Sequence, residues 1–138
     1  MMYHYVVDLK ILEQLSHDLR AFGDEKGLSE KQVFALNLSL EEVMTNIITH
    51  GYHCKKTGDK IDLELLFDEN MITAVVTDHG LAFDPLQNAP EPDLYADVDE
   101  RKIGGLGVFL CKEMMDAIEY QWLDGKNVLI LRTIFCRD

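Results

Sequence analysis

Glu42-Val43-Met44-Thr45-Asn46 is the stretch on which the reading of this chain turns. A carboxylate and a carboxamide four positions apart share one face of a helix, and His50 continues the line at i+8. Leu36, Val43 and Ile47 point elsewhere, and Glu41 lies about 100° round the helix from Glu42. The pattern describes an ordinary solvated helix face. It also describes a site in which the Asn46 amide oxygen holds Mg²⁺, with waters and phosphate oxygens completing the octahedron. Glu42, one turn away, is then placed to take a proton from an attacking hydroxyl or water.

Two further segments decide between these readings by their company. Asp78 closes an apolar, β-branched run (Ile72, Ala74, Val75, Val76) and is followed by His79-Gly80. Such an acid begins a turn, or accepts a hydrogen bond from an adenine amino group while Gly80 lets the base approach the backbone. Phe83 supplies an apolar wall or fills the core. Further on, Gly104-Gly105-Leu106-Gly107-Val108 leads into an amphipathic segment, where backbone amides at a helix start hold phosphate. Arg101 and Lys102 flank these glycines as the only bases in their stretch and are placed to steady a terminal phosphate. Carboxamide, acid, apolar wall and amides together make a site for a metal–nucleotide.

The composition fits. A chain of 138 residues with 47% apolar content is expected to form a single domain over residues 1–138 with a real core. Twenty-five acids against 13 bases give a formal charge of -12, which repels phosphate backbones and argues against a nucleic-acid partner. A nucleotide bound here needs a divalent cation to offset like charge. The N-terminus lacks the layout of a signal peptide, no apolar run approaches membrane-spanning length, and Cys54, Cys111 and Cys136 form no CxxC pair. The expectation is a cytoplasmic protein with no membrane partner.

Hydrophobic spacing predicts a strand over 3–9, a helix from Lys10 to about Lys26 stopped by Gly27, and a second helix starting at the capping box Ser29-Glu30-Lys31-Gln32 and ending near Gly51. Strands at 61–67 and 71–77 form a hairpin about Glu69-Asn70. Strands at 117–123 and 127–135 form another about Asp124-Gly125. Between them, 86–102 is polar and acidic with no periodicity, the composition of a functional lid. Leu106, Leu110, Met114 and Met115 mark a third helix. The order predicts an α+β fold: a two-layer sandwich in which a mixed, mostly antiparallel sheet is covered on one face by three helices.

Several alternatives fail. The glycine run is neither a Rossmann fingerprint nor a Walker loop, and the protein-kinase signature set is absent. His50, His53 and Cys54 lack a fourth ligand at metal spacing.

The three segments, in order and spacing, resemble the GHKL or Bergerat-fold ATP-binding superfamily, and within it the small bacterial anti-sigma factor serine/threonine kinases. Glu42 through Tyr52 is similar to that family's N box, including the trailing His50. Asp78-His79-Gly80 with Phe83-Asp84 is similar to its first glycine box, and Gly104–Gly107 to its second. The resemblance implies ATP and Mg²⁺ as ligands: Asn46 on the metal, Asp78 on adenine, the glycines on the phosphates and Glu42 as general base. It implies that the chain binds a sigma factor and phosphorylates a serine on an anti-sigma factor antagonist of the STAS type. A non-catalytic nucleotide-gated binding module is the competing class, and a histidine-kinase-like ATPase fragment another. The first helix offers a face for a homodimer or for the partner. Where the family often shows Gly-Thr-Thr near its final strands, this chain has Gly125-Lys126-Asn127, and the stretch from Glu91 to Glu100 is unusually acidic.

Overall fold

A glycine and a serine set the helical layer. The computed structural model describes residues 1–7, 10–48, 60–88 and 113–134. Helix α1 (Ile11–Lys26) stops because Gly27 turns left-handed at φ 74°, and the Leu28 N–H then donates to the Gly23 carbonyl at 2.9 Å. This closure satisfies carbonyls that the helix end leaves open. Helix α2 (Glu30–Asn46) starts at Ser29, whose Oγ accepts the Gln32 N–H at 3.1 Å while the Ser29 N–H donates to Gln32 Oε1 at 2.8 Å. Both halves of the expected capping box are therefore made. Past Asn46 the backbone widens into a π turn at Ile47–Ile48, a local form frequent beside functional residues. Gly51, the expected stop, lies outside the described residues.

The sheet is five-stranded. Its strands are β1 (Met2–Val6), β2 (Lys60–Asp68), β3 (Met71–Asp78), β4 (Ala117–Leu123) and β5 (Lys126–Ile134), in the spatial order β1-β2-β3-β5-β4. Glu69 at φ 53° turns β2 into β3, and Asp124 and Gly125 at φ 53° and 75° turn β4 into β5. Two successive positive φ angles make the tight turn whose twist matches the flanking strands. All four described pairings are antiparallel, so the expected mixed sheet is corrected on the described strands.

Alternation sends Ile61, Leu63 and Leu65 of β2, Ile72, Ala74 and Val76 of β3, and Leu129 and Leu131 of β5 to one face. There they bury against Leu15, Leu19 and Phe22 of α1 and Leu36, Leu40, Val43 and Met44 of α2. Each of the Val, Leu, Ile, Phe and Met side chains among them contributes about 1.5–3 kcal/mol when removed from water. Tyr5 joins this core and donates its hydroxyl to Asp18 Oδ2 at 2.7 Å, fastening β1 to α1.

One expectation differs from the structure, and two others lie mostly outside the described residues. β1 ends at Val6 rather than at residue 9. The third helix expected from Leu106 lies outside the described residues except at Glu113 and Met114, which are helical; the described residues hold two long helices. Of the stretch assigned to a lid, 89–102 lie outside the described residues, and it opens with a one-turn helix, α3 (Pro85–Asn88). Asp84 caps it through Oδ1 to the Leu86 N–H at 2.8 Å, and Pro85 takes the first helical position, where a missing N–H costs nothing. The Asp-Pro pair carried that signal; the crowding of prolines beyond it obscured it.

Gly23 lies where α1 meets α2, and a Cβ there would overlap the Val33 Cγ2 methyl. In an open helix Gly→Ala stabilises by roughly 0.5–1 kcal/mol. Here the sign reverses: chemical denaturation of Gly23→Ala is expected to show a loss of about 1–2 kcal/mol. Val33→Ala in the same chain should recover part of that loss, although alone it destabilises.

Candidate functional site

Val43, Asn46 and Ile47 stand at i, i+3 and i+4 on α2 and therefore face one way. They form one wall of a cavity of about 40 Å³ closed by Asp78 and Phe83 on one side and by Ile118, Tyr120, Asn127, Leu129 and Leu131 of the β4–β5 hairpin on another. Three residues that the sequence singled out thus meet in one place: Asn46, Asp78 and Phe83. Asn46 is 7% exposed and Asp78 3% exposed, values unusual for these side chains away from a function or a full set of partners. Among the described residues the Asn46 amide is engaged by no hydrogen bond. Its neutral carboxamide oxygen is the hard donor that Mg²⁺ accepts.

Gly80 is tied into the site by its backbone: its N–H donates to Asp78 Oδ1 at 2.9 Å. This is the turn reading of Asp-His-Gly, and it coexists with the open side of the same carboxylate. Glu42 does not line the cavity. It lies one turn before Asn46 on α2 and is half-buried. His50, Arg101, Gly104, Gly105, Leu106, Gly107 and Val108 lie outside the described residues.

Burial governs the electrostatics. It pushes the Asp78 carboxyl above its ordinary range, against the opposing pull of hydrogen bonds from Asn127 and Gly80 and of nearby His79. Glu42 is also raised, first by burial and then by the neighbouring charge of Glu41. A carboxylate of raised basicity near a cleft is a better proton acceptor than a surface one.

One residue of the cavity escaped the sequence reading except as a departure from a family pattern. Asn127 is 6% exposed and pairs in register with Asp78 across β5 and β3. Its Nδ2 donates to Asp78 Oδ1 and to the Leu81 carbonyl, each at 2.9 Å. Its Oδ1 accepts the Phe83 N–H at 3.1 Å and the Tyr120 hydroxyl. The available signal was a carboxamide standing at the start of a strand whose alternate residues, Leu129 and Leu131, are core. No group of three or more metal-ligating side chains occurs among the described residues, and no described helix is long and apolar enough to cross a membrane.

The sequence matches the histidine kinase-like ATPase domain over residues 6–133. It is 34% identical over 98 residues to the serine/threonine-protein kinase BtrW of Bordetella bronchiseptica, covering 71% of this chain and 68% of that protein. Over 119 residues it is 28% identical to the serine-protein kinase RsbW of Listeria monocytogenes, covering 84% and 75% of the two chains. It is similar as well to the anti-sigma F factor of Clostridium beijerinckii, 31% identical over 93 residues that cover 67% and 64%. Because the family match runs from the end of β1 almost to the end of β5, the chain belongs to the histidine kinase-like, or GHKL, ATPase domain family.

Proposed function

We propose that the protein is an ATP-dependent serine/threonine protein kinase that binds a sigma factor and phosphorylates a serine on an anti-sigma factor antagonist. The observation that carries this reading is the convergence of Asn46, Asp78 and Phe83 on one cavity whose walls also include Val43, Ile47, Ile118 and Leu129. The kinase names of the BtrW and RsbW relatives support phosphoryl transfer to protein, and the name of the anti-sigma F factor relative supports a sigma factor as partner.

Each residue has a role in this reading. The purine enters between Val43 and Ile47 of α2 and the hairpin residues Ile118 and Leu129, which exclude water from its faces. Asp78 accepts the exocyclic amino hydrogen. Asn46, whose amide makes no hydrogen bond among the described residues, would hold Mg²⁺, which would offset the phosphate charge that an acidic protein otherwise repels. Glu42 receives the proton of the attacking serine hydroxyl, a task to which its raised basicity is suited. Gly104–Val108, Arg101 and His50 are assigned to the phosphates on the sequence pattern alone.

The deciding experiment incubates the protein with labelled Mg-ATP and a co-encoded antagonist and maps the phosphosite. Absence of transfer to any such antagonist would leave a nucleotide-gated binding module. Calorimetry is expected to show that Asn46→Ala loses the Mg²⁺-dependent part of ATP affinity, by about tenfold or more. Unchanged metal dependence would remove Asn46 from the metal. Glu42→Gln should keep ATP binding and lower the transfer rate by about a hundredfold or more; transfer at the normal rate would require another base.

Asp78 makes a prediction about stability as well. Its native pKa lies above the ordinary carboxylate value, so the native state holds this proton more tightly than the unfolded chain does. The stabilisation is complete below the ordinary value and is lost as pH rises through the raised native one. Asp78→Asn, neutral throughout and still able to accept from Gly80 and Asn127, should therefore melt higher than wild type at pH 7. The difference should close on acidification through the carboxylate range. The same variant should lose preference for ATP over GTP.

A further inference from the structure

Asn127 stands in an unfavourable place. Asn is a poor strand former, and a buried amide costs stability unless its hydrogen bonds are made. Here all four are made. Two donors go to Asp78 Oδ1 and the Leu81 carbonyl, and two acceptor positions take the Phe83 N–H and the Tyr120 hydroxyl. The amide has one possible orientation, because the Phe83 N–H can only donate and the Leu81 carbonyl can only accept. Asn127 therefore has nothing left with which to touch a ligand. It acts instead on Asp78, whose Oδ1 is held from two directions, by Asn127 Nδ2 and by the Gly80 N–H, each at 2.9 Å. Among the described residues no hydrogen bond reaches Oδ2, so on this cavity-lining residue it is the oxygen whose lone pairs are left uncommitted. The same amide ties the chain at Leu81 and Phe83, of which Phe83 lines that cavity, to the first residues of β5.

We propose that Asn127 is the positioning residue for base recognition: it fixes the plane of the Asp78 carboxylate so that one oxygen faces the purine amino group, and Tyr120 locks the Asn127 amide in the orientation that does so. The inference rests on the reading of Asp78 as the adenine acceptor. A carboxylate turned about its bond would still fill the space but would present its lone pairs elsewhere. Asn127 thus governs selectivity among purines rather than affinity for phosphate. Asp at this position would not substitute, since it would set a second carboxylate against Asp78 and a bare oxygen against the Leu81 carbonyl.

The test compares ATP with purine riboside 5′-triphosphate, which carries hydrogen in place of the amino group, by calorimetry on the whole chain. In Asn127→Ala the preference for ATP should fall by about tenfold, the scale of one hydrogen bond to a charged group, while affinity for the analogue stays near wild type. Equal weakening of both ligands would mark a merely structural residue and overturn the proposal, as would an unchanged ratio. Should Asn127→Ala fail to fold, Asn127→Ser keeps the site polar and is expected to show the same split. A second arm follows the Asp78 carboxyl carbon by NMR through a pH titration without ligand. Loss of the Asn127 donor should move its midpoint upward, and an unmoved midpoint counts against the contact. If wild type shows no preference for ATP, the adenine role of Asp78 falls, and the titration decides the Asn127 contact independently.

Discussion

The register of β3 against β5 is the constraint on which the rest depends. Side chains along a strand alternate, so a slip of one residue would turn Ile72, Ala74 and Val76 out of the core and carry Asp78 away from Asn127. The two-residue turn at Asp124-Gly125 sets the neighbouring register as well. It brings Tyr120 opposite Leu129, close enough for its hydroxyl to reach Asn127. One strand pairing thus decides the aliphatic packing, the position of the acid and the donor that holds it. β3 is the middle strand of five, flanked by β2 and β5, and has no free edge along which to slide.

At the cavity, stability and chemistry pull in opposite directions. Asp78 closes a strand face that is otherwise core, and burial raises both its pKa and that of Glu42. Leu15, Leu19, Leu40, Met44, Ile61 and Leu63, all fully buried, lie in the same layer and supply the surplus that lets the acids remain. The helix carrying Asn46 gains its fixed start from the reciprocal Ser29–Gln32 cap. Its pocket-facing residues sit near the opposite end, where the backbone widens at Ile47–Ile48.

Much of the fold was legible because its signals are local. A capping box spans four residues, a stop needs one glycine, and the turns at Glu69-Asn70 and Asp124-Gly125 announce themselves between alternating runs. The features that escaped are made by contacts across long stretches of sequence. Asn127 meets Asp78 49 positions away, and nothing in the residues around either one encodes that meeting. Gly23 meets Val33 only where α1 packs on α2, and that contact is what makes its missing side chain matter. Asp84-Pro85 is a local signal that was overridden by the proline-rich composition downstream. The meeting of Asn46, Asp78 and Phe83 was inferred from order and spacing, and the described geometry brings them into one cavity. The glycine run expected to complete that site lies outside the described residues.

The saturation of Asn127 has a consequence for inhibitor chemistry. A small molecule seated in this cavity would meet Val43 and Ile47 of α2 and Ile118 and Leu129 of the β4–β5 hairpin, and would find no hydrogen bond to make with the Asn127 carboxamide. A compound designed to engage that amide would have to break an internal bond and leave a buried partner unpaired, which costs about 1–3 kcal/mol. Potency would come from shape and apolar area, and directionality from a donor aimed at Asp78 Oδ2 and a polar group set against the Asn46 amide. A flat lipophilic body with two polar groups, one for Asp78 and one for Asn46, therefore suits this pocket better than a heavily functionalised scaffold.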